Sequence, residues 1–257
     1  MATVIAIANQ KGGVGKTTTA LNLAAALKER GKKTLLIDFD PQHNLTDYLG
    51  HMPQNGEVTI TDLLLDDIQD QPSRLKEAIM VNHEGLFYIP SNSALTGAEL
   101  FLATAMSRES ILDHVLKNGD TADFDYIIID SLPSLGILMV NVLSACDKII
   151  MPVQTQKFSW DGLNMFQEAL VRVKKNLNPR MRISGVLLTM QDDTVMSRDV
   201  ETEVRKEYGD IAFETMIRRL ADAPYSTDSR SSLIAEKSRL GDQYLAVADE
   251  FLRREGQ

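Results

Sequence analysis

A single cysteine, Cys146, stands among the 257 residues. One thiol cannot close an intrachain disulfide, and it cannot supply the several thiolates that a structural zinc or iron–sulfur site takes from one chain. A reducing compartment is expected, and the chain reads as cytoplasmic. Aromatic residues are sparse, at 6%, and the longest apolar runs, such as 126–129 and 149–153, fall far short of a bilayer span, which needs about 18 residues. No basic-plus-apolar leader opens the sequence. Positive charge is also in deficit: 27 Lys and Arg face 36 Asp and Glu, a formal net charge of −9. Taken globally this argues against a nucleic-acid binder. The imbalance is uneven, however. Residues 1–150 hold 11 basic and 19 acidic side chains, whereas residues 151–257 hold 16 and 17, so a local basic face is expected only in the second part.

With 44% hydrophobic and 25% charged residues, the composition is that of a globular chain with a sizeable core, read as one domain over residues 1–257. Short runs rich in Val and Ile recur at 4–8, 34–37, 86–89, 126–129, 148–153 and 183–189. They are continuously apolar, which is what strands buried on both faces require. Between them lie helical patterns: Ala20, Leu23, Ala24 and Leu27 ending at Gly31, then Leu163, Phe166, Leu170 and Val173, and finally Leu240, Tyr244, Val247, Ala248 and Phe251. Strands alternating with helices predict an α/β fold, a mostly parallel twisted sheet with helices on both faces. Residues 49–71 are irregular and read as a surface excursion with one short helix, its acids Asp62, Asp66, Asp67 and Asp70 forming a solvated face.

Directly after the first expected strand comes Lys11-Gly12-Gly13-Val14-Gly15-Lys16-Thr17-Thr18, followed by a helix. Glycines let successive backbone N–H groups turn inward onto phosphate oxygens, and the helix N-terminus adds its positive end. Lys16 would reach the β and γ phosphates and the Thr17 hydroxyl would ligate Mg²⁺, while Gly12, Gly13, Val14, Gly15 and Thr18 line the loop. The strict phosphate-loop pattern needs glycine at position 10, where Gln10 stands. What distinguishes this variant is Lys11. A second lysine at the mouth of the loop cannot easily curl back onto phosphates already served by Lys16, but it could reach a nucleotide held by another subunit and stabilise charge on the transferring group. Leu35-Leu36-Ile37-Asp38-Phe39-Asp40 ends the second strand with two carboxylates on one face, and Tyr126-Ile127-Ile128-Ile129-Asp130 is an apolar strand ending in an acid, suited to holding Mg²⁺ through water.

Lys-Gly-Gly-Val-Gly-Lys-Thr-Thr is the deviant Walker A signature, and on these motifs the chain resembles the ParA/MinD class of dimeric P-loop ATPases, in particular its ParA/Soj-type partition members. The resemblance implies that Asp40 positions the attacking water, that Asp38 helps order the metal shell with Thr17 and Asp130, and that ATP and Mg²⁺ assemble a homodimer in which Lys11 crosses to the partner's phosphates. Ser131-Leu132-Pro133-Ser134-Leu135-Gly136 resembles the family's D-x-P-P-S-L-G continuation, with Leu132 in place of the first proline. Met151-Pro152-Val153-Gln154 and Gly162-Leu163 match a segment that carries dimer contacts in the family, with Gln156 and Lys157 departing from it, and Arg219-Leu220-Ala221-Asp222-Ala223-Pro224 looks like its R-L-S-E-A-P. Between Ile217 and Arg219 the chain is about two residues shorter than relatives that cradle adenine there.

The class divides by the surface on which its dimers ride. MinD-type members end in a basic amphipathic membrane anchor; this chain ends Asp249-Glu250-Phe251-Leu252-Arg253-Arg254-Glu255-Gly256-Gln257, which reads as a packed helix with no membrane contact. Iron-protein reductases of the same fold need paired cysteines. ParA-type members bind nonspecific DNA as ATP-held dimers, and the resemblance implies DNA contacts at Arg219 and, in place of an arginine relatives carry in the now acidic loop 191–197, at Arg198. The expected function is thus partition of plasmid or chromosomal DNA by a nucleoid-associated ATPase that a ParB-type cargo adaptor stimulates. The open alternatives are a positioning ATPase for a protein cargo, a membrane-cycling ATPase and a P-loop phosphotransferase.

Overall fold

A computed structural model describes residues 2–155, 160–219 and 230–256. Strands and helices follow in the order β1 (Thr3–Ile7), α1 (Lys16–Glu29), β2 (Thr34–Phe39), α2 (Asn44–Tyr48), α3 (Ile60–Ile68), α4 (Leu75–Ala78), β3 (Met80–Val81), β4 (Phe87–Ile89), α5 (Leu95–Thr104), α6 (Ile111–Asn118), β5 (Tyr126–Ser131), α7 (Ile137–Ala145), β6 (Lys148–Gln154), α8 (Trp160–Asn176), β7 (Arg182–Thr189), α9 (Val195–Tyr208) and α10 (Arg239–Arg254). The seven strands form one sheet in the order β3-β4-β2-β5-β1-β6-β7, parallel throughout except that β3 runs antiparallel to β4. Every residue of β2 and β5 is buried, which is why their sequences carry no polar alternation.

All six expected strands form. β3 was not expected: two residues on the sheet edge are too short to leave a periodic signal. The two faces of the sheet carry separate cores. One joins β-strand side chains to α3, α5, α6, α7, α8 and α9; the other joins them to α1, α2 and α10. α1 leaves β1 toward the second face while α7 leaves β5 toward the first, so a crevice opens at the carboxyl ends of β1 and β5, where ligands bind in sheets of this kind.

The excursion over 49–71 holds the one short helix expected, α3, with α2 ending just before it and α4 beginning just after it. α3 starts at a capping box, in which Asp62 accepts from the Thr59 N–H at 2.8 Å. Its acids are more engaged than a solvated face requires: Asp66 takes a two-pronged ion pair from Arg74 at 2.8 and 2.9 Å, and Asp67 lies 3.5 Å from His114. At the far end α10 lays Leu240, Tyr244, Val247, Ala248 and Phe251 into the second core, so the terminal apolar stripe is packing surface. Among the described residues no helix is long and apolar enough to cross a membrane.

Candidate nucleotide site

The loop between β1 and α1 is shaped by backbone that only glycine adopts readily. Gly13 and Gly15 have φ of 72° and 85°, and a Cβ added at either would meet no atom within 4 Å. Neither glycine is therefore demanded by packing; both are demanded by the turn, and the space above them is open. Gly15 caps α1 without a side-chain hydrogen bond, and the first turn of α1 holds no acidic residue. A helix start normally recruits a Ser, Asp or Asn oxygen to its unpaired N–H groups. Here those groups and the positive end of the helix dipole are left for an anion.

Neighbouring strands fix the loop. The Thr189 hydroxyl donates to the Val14 carbonyl at 2.9 Å, Asn9 donates to the Pro152 carbonyl at 2.7 Å and the Lys11 N–H donates to Asn9 Oδ1 at 3.0 Å. Lys16 is only 7% exposed, and its ammonium donates back to the Lys11 carbonyl at 3.1 Å. Burial holds that ammonium below the ordinary lysine range, partly offset by the nearby Asp130 and Asp40.

Across the crevice Asp38 and Asp130 are register partners on β2 and β5, and both are 1% exposed. Asp130 hydrogen-bonds Thr17, yet burial first and the Asp38 charge second hold its carboxyl well above the usual range. Its Oδ1 is buried without a hydrogen-bond partner among the described residues. An orphaned carboxylate oxygen beside a threonine hydroxyl and a buried lysine is a site short of positive charge, and the donor set suits a hard cation. Asp38 differs. Burial raises its carboxyl to about 6 even though Thr46 and Asp40 donate to it: the Thr46 N–H and hydroxyl reach Oδ2 at 2.8 and 2.7 Å, and the Asp40 N–H reaches Oδ1 at 3.2 Å. Both of its oxygens thereby brace the Asp40 turn from within the chain, beside the Asp130 carboxylate on the neighbouring strand. Asp40 itself is half-buried at the crevice rim.

The two arginines singled out for DNA also converge. The Arg219 N–H donates to the Gln191 carbonyl at 2.9 Å, and Arg198 donates to the Asp193 carbonyl at 3.1 Å; both are exposed. Arg218, not singled out in the sequence, joins them 3.6 Å from the Asp193 carboxylate. All three surround one loop at the carboxyl end of β7. In the segment expected to carry dimer contacts, Met151 and Val153 are 0% and 2% exposed inside β6, while Gln154 at the strand's end is half-buried. Gln156, Lys157 and residues 220–224 lie outside the described residues.

Comparison with known proteins agrees with this arrangement. An AAA domain family model matches residues 2–183. The sporulation initiation inhibitor protein Soj of Bacillus subtilis is 41% identical over 254 residues, covering 97% of this chain and 98% of that protein. The chromosome partitioning protein ParA of Myxococcus xanthus is 38% identical over 260 residues, 98% and 88% of the two chains. Among solved structures, a Mycobacterium smegmatis protein described as cobyrinic acid a,c-diamide synthase, with bound ADP and magnesium, superposes with a TM-score of 0.85 at 35% identity, covering 100% of this chain and 96% of that one. The chain belongs to the ParA/Soj family of partition ATPases.

Proposed function

We propose that the protein hydrolyses ATP as an ATP-held homodimer, binds DNA without sequence preference in that state, and partitions plasmid or chromosomal DNA with a ParB-type partner. The observation that carries this reading is the pairing of an uncapped, glycine-turned helix start with the orphaned, buried Asp130 carboxylate opposite it. The first needs an anion and the second a cation, and Mg²⁺ with a nucleotide phosphate supplies both. The ADP and magnesium bound by the Mycobacterium smegmatis relative support the same pair of ligands.

In this reading the loop Gly12, Gly13, Val14 and Gly15 and the N–H groups of Thr17 and Thr18 cradle the phosphates, with Lys16 released from the Lys11 carbonyl to meet them. Thr17 and Asp130 would hold Mg²⁺, with Asp38 helping to order its shell, and the ion would supply positive charge against the phosphate oxygens. Asp40 orients the water that attacks the γ-phosphorus, and the bond to the β-phosphate oxygen breaks to leave ADP and free phosphate. Lys11 of the partner subunit adds positive charge where the γ-phosphoryl group loosens. Arg219, Arg198 and Arg218 contact DNA phosphates; a dimer doubles the patch, so a modest surface per subunit suffices for weak, salt-sensitive binding. Such binding would place the protein on the nucleoid.

DNA binding measured with ATP and with ADP tests the reading. Affinity should appear with ATP, fall steeply as salt rises, and drop in Arg219→Ala; no salt-sensitive affinity with ATP would end the partition reading. A second reading, phosphoryl transfer to a small acceptor, would use the same phosphate loop and the same buried Asp130. Phosphorylated acceptor in place of free phosphate among the products would establish it.

A further inference from the structure

The Asp40 backbone is held in a closed, buried ring of hydrogen bonds that reaches two elements away. Asp38 Oδ1 accepts from the Asp40 N–H at 3.2 Å. Asp38 Oδ2 accepts from the Thr46 hydroxyl at 2.7 Å. Thr46 Oγ1 in turn accepts from the Ser91 N–H at 3.0 Å, and the Ser91 hydroxyl closes the ring by donating to the Asp40 carbonyl at 2.9 Å. Thr46 and Ser91 are both 0% exposed. They come from the start of α2 and from just past β4, so β2, α2 and β4 each contribute a member.

The ring matters because the Asp40 side chain has little freedom of its own. Its Oδ1 accepts from the Gln42 N–H at 2.9 Å, an Asx turn that ties the carboxylate to the local backbone. Wherever the backbone at residue 40 sits, the carboxylate follows. A hydroxyl at Ser91 is not needed to fill space or to terminate β4, since alanine would do both; what it adds is a fixed position for the Asp40 carbonyl.

We infer that Ser91 and Thr46 are positioning residues for the Asp40 carboxylate, setting its place over the γ-phosphate without touching the nucleotide. This rests on the reading of Asp40 as the residue that orients water. Misplacement of a reacting group by about 1 Å costs up to roughly 100-fold in rate, and partial loosening of one ring member costs less.

The experiment compares steady-state hydrolysis and the affinity for a non-hydrolysable ATP analogue in Ser91→Ala, Thr46→Val, Thr46→Ser and Asp40→Ala, all against the unaltered full chain. Ser91→Ala and Thr46→Val should lower kcat about tenfold while KM and analogue affinity change by less than about twofold, and Thr46→Ser, which keeps the hydroxyl, should restore kcat. Wild-type kcat in both hydroxyl-less variants beside an inactive Asp40→Ala would overturn the positioning role and leave the Asp40 reading standing. Wild-type hydrolysis by Asp40→Ala would overturn both. Loss of analogue affinity in step with kcat would reduce the ring to a scaffold and overturn the inference as well. If Ser91→Ala does not fold, the contrast between Thr46→Val and Thr46→Ser decides alone.

Discussion

Glu250 is a carboxylate only 4% exposed, on the inner face of α10. It accepts from the N–H groups of Glu214 and Thr215 at 2.8 and 3.0 Å and from Arg254 at 2.6 Å. Burial pushes its carboxyl up, but the Thr215 and Glu214 donors and the Arg254 charge together outweigh burial and hold it below the usual range. The native state thus binds this proton more weakly than the unfolded chain does. Its contribution to stability is present above the unfolded carboxylate range and is lost as pH falls through the lowered native value. Glu250→Gln should therefore destabilise at pH 7 by about 1–3 kcal/mol, the cost of weakening buried hydrogen bonds, and should make the acid limb of a stability profile shallower. Urea unfolding at a series of pH values checks both, and an unchanged acid limb would refute the assignment. Neither Glu250 nor the Thr46–Ser91 pair was legible in the sequence, because their partners lie 35 and 45 residues away. Lys16 and Thr17 were legible, since the phosphate loop is written in consecutive residues and its chemistry depends on them alone.

Among the elements, the strands were read well because burial on both faces leaves a continuous apolar run. α1 was read as an amphipathic helix from Ala20, Leu23, Ala24 and Leu27, yet Leu21 and Ala25 are buried as well. The reason is tertiary: α10 and the loop before it cover the outer side of α1, and the Thr19 and Tyr244 hydroxyls meet across that contact at 3.2 Å. Closeness there depends on Gly241. A Cβ at this position would lie 2.3 Å from the Leu233 carbonyl oxygen and 2.8 Å from its carbon. That backbone is pinned in turn, for the Leu233 N–H donates to Asn22 Oδ1 of α1 at 2.7 Å. Because backbone cannot swing aside as a long side chain can, Gly241→Ala should push α10 off its loop and cost about 1–3 kcal/mol. Gly97 in α5 is the control, with nothing within 4 Å of an added Cβ; Gly97→Ala should be neutral or stabilising by up to about 1 kcal/mol. Thermal unfolding of the two variants separates the outcomes, and equal behaviour would mean that the close approach at Gly241 carries no energy.

For the molecule as a whole, the net charge of −9 conceals a division of labour. The acids gather in the nucleotide half, while Arg198, Arg218 and Arg219 collect at the carboxyl end of β7, the same edge of the sheet as the phosphate loop that Thr189 holds. A dimer closing over that edge would bring two nucleotides and two arginine patches together, which makes the direction in which Lys11 acts a question about the assembly. If Lys11 serves the partner's nucleotide, each site is built from one subunit's Asp40 and the other subunit's Lys11. Lys11→Ala and Asp40→Ala should then each hydrolyse poorly alone, for different reasons. Mixed, they form dimers in which the Lys11→Ala subunit keeps its own Asp40 and receives Lys11 from its neighbour, giving one complete site; the second site lacks both groups. With random pairing half of the dimers are mixed and half of their sites complete, so an equimolar mixture should recover about a quarter of the wild-type rate. If Lys11 instead serves its own nucleotide, neither site of a mixed dimer is complete and mixing restores nothing. Sedimentation with ATP confirms that mixed dimers form, and phosphate release from them then distinguishes a lysine that crosses the interface from one that does not.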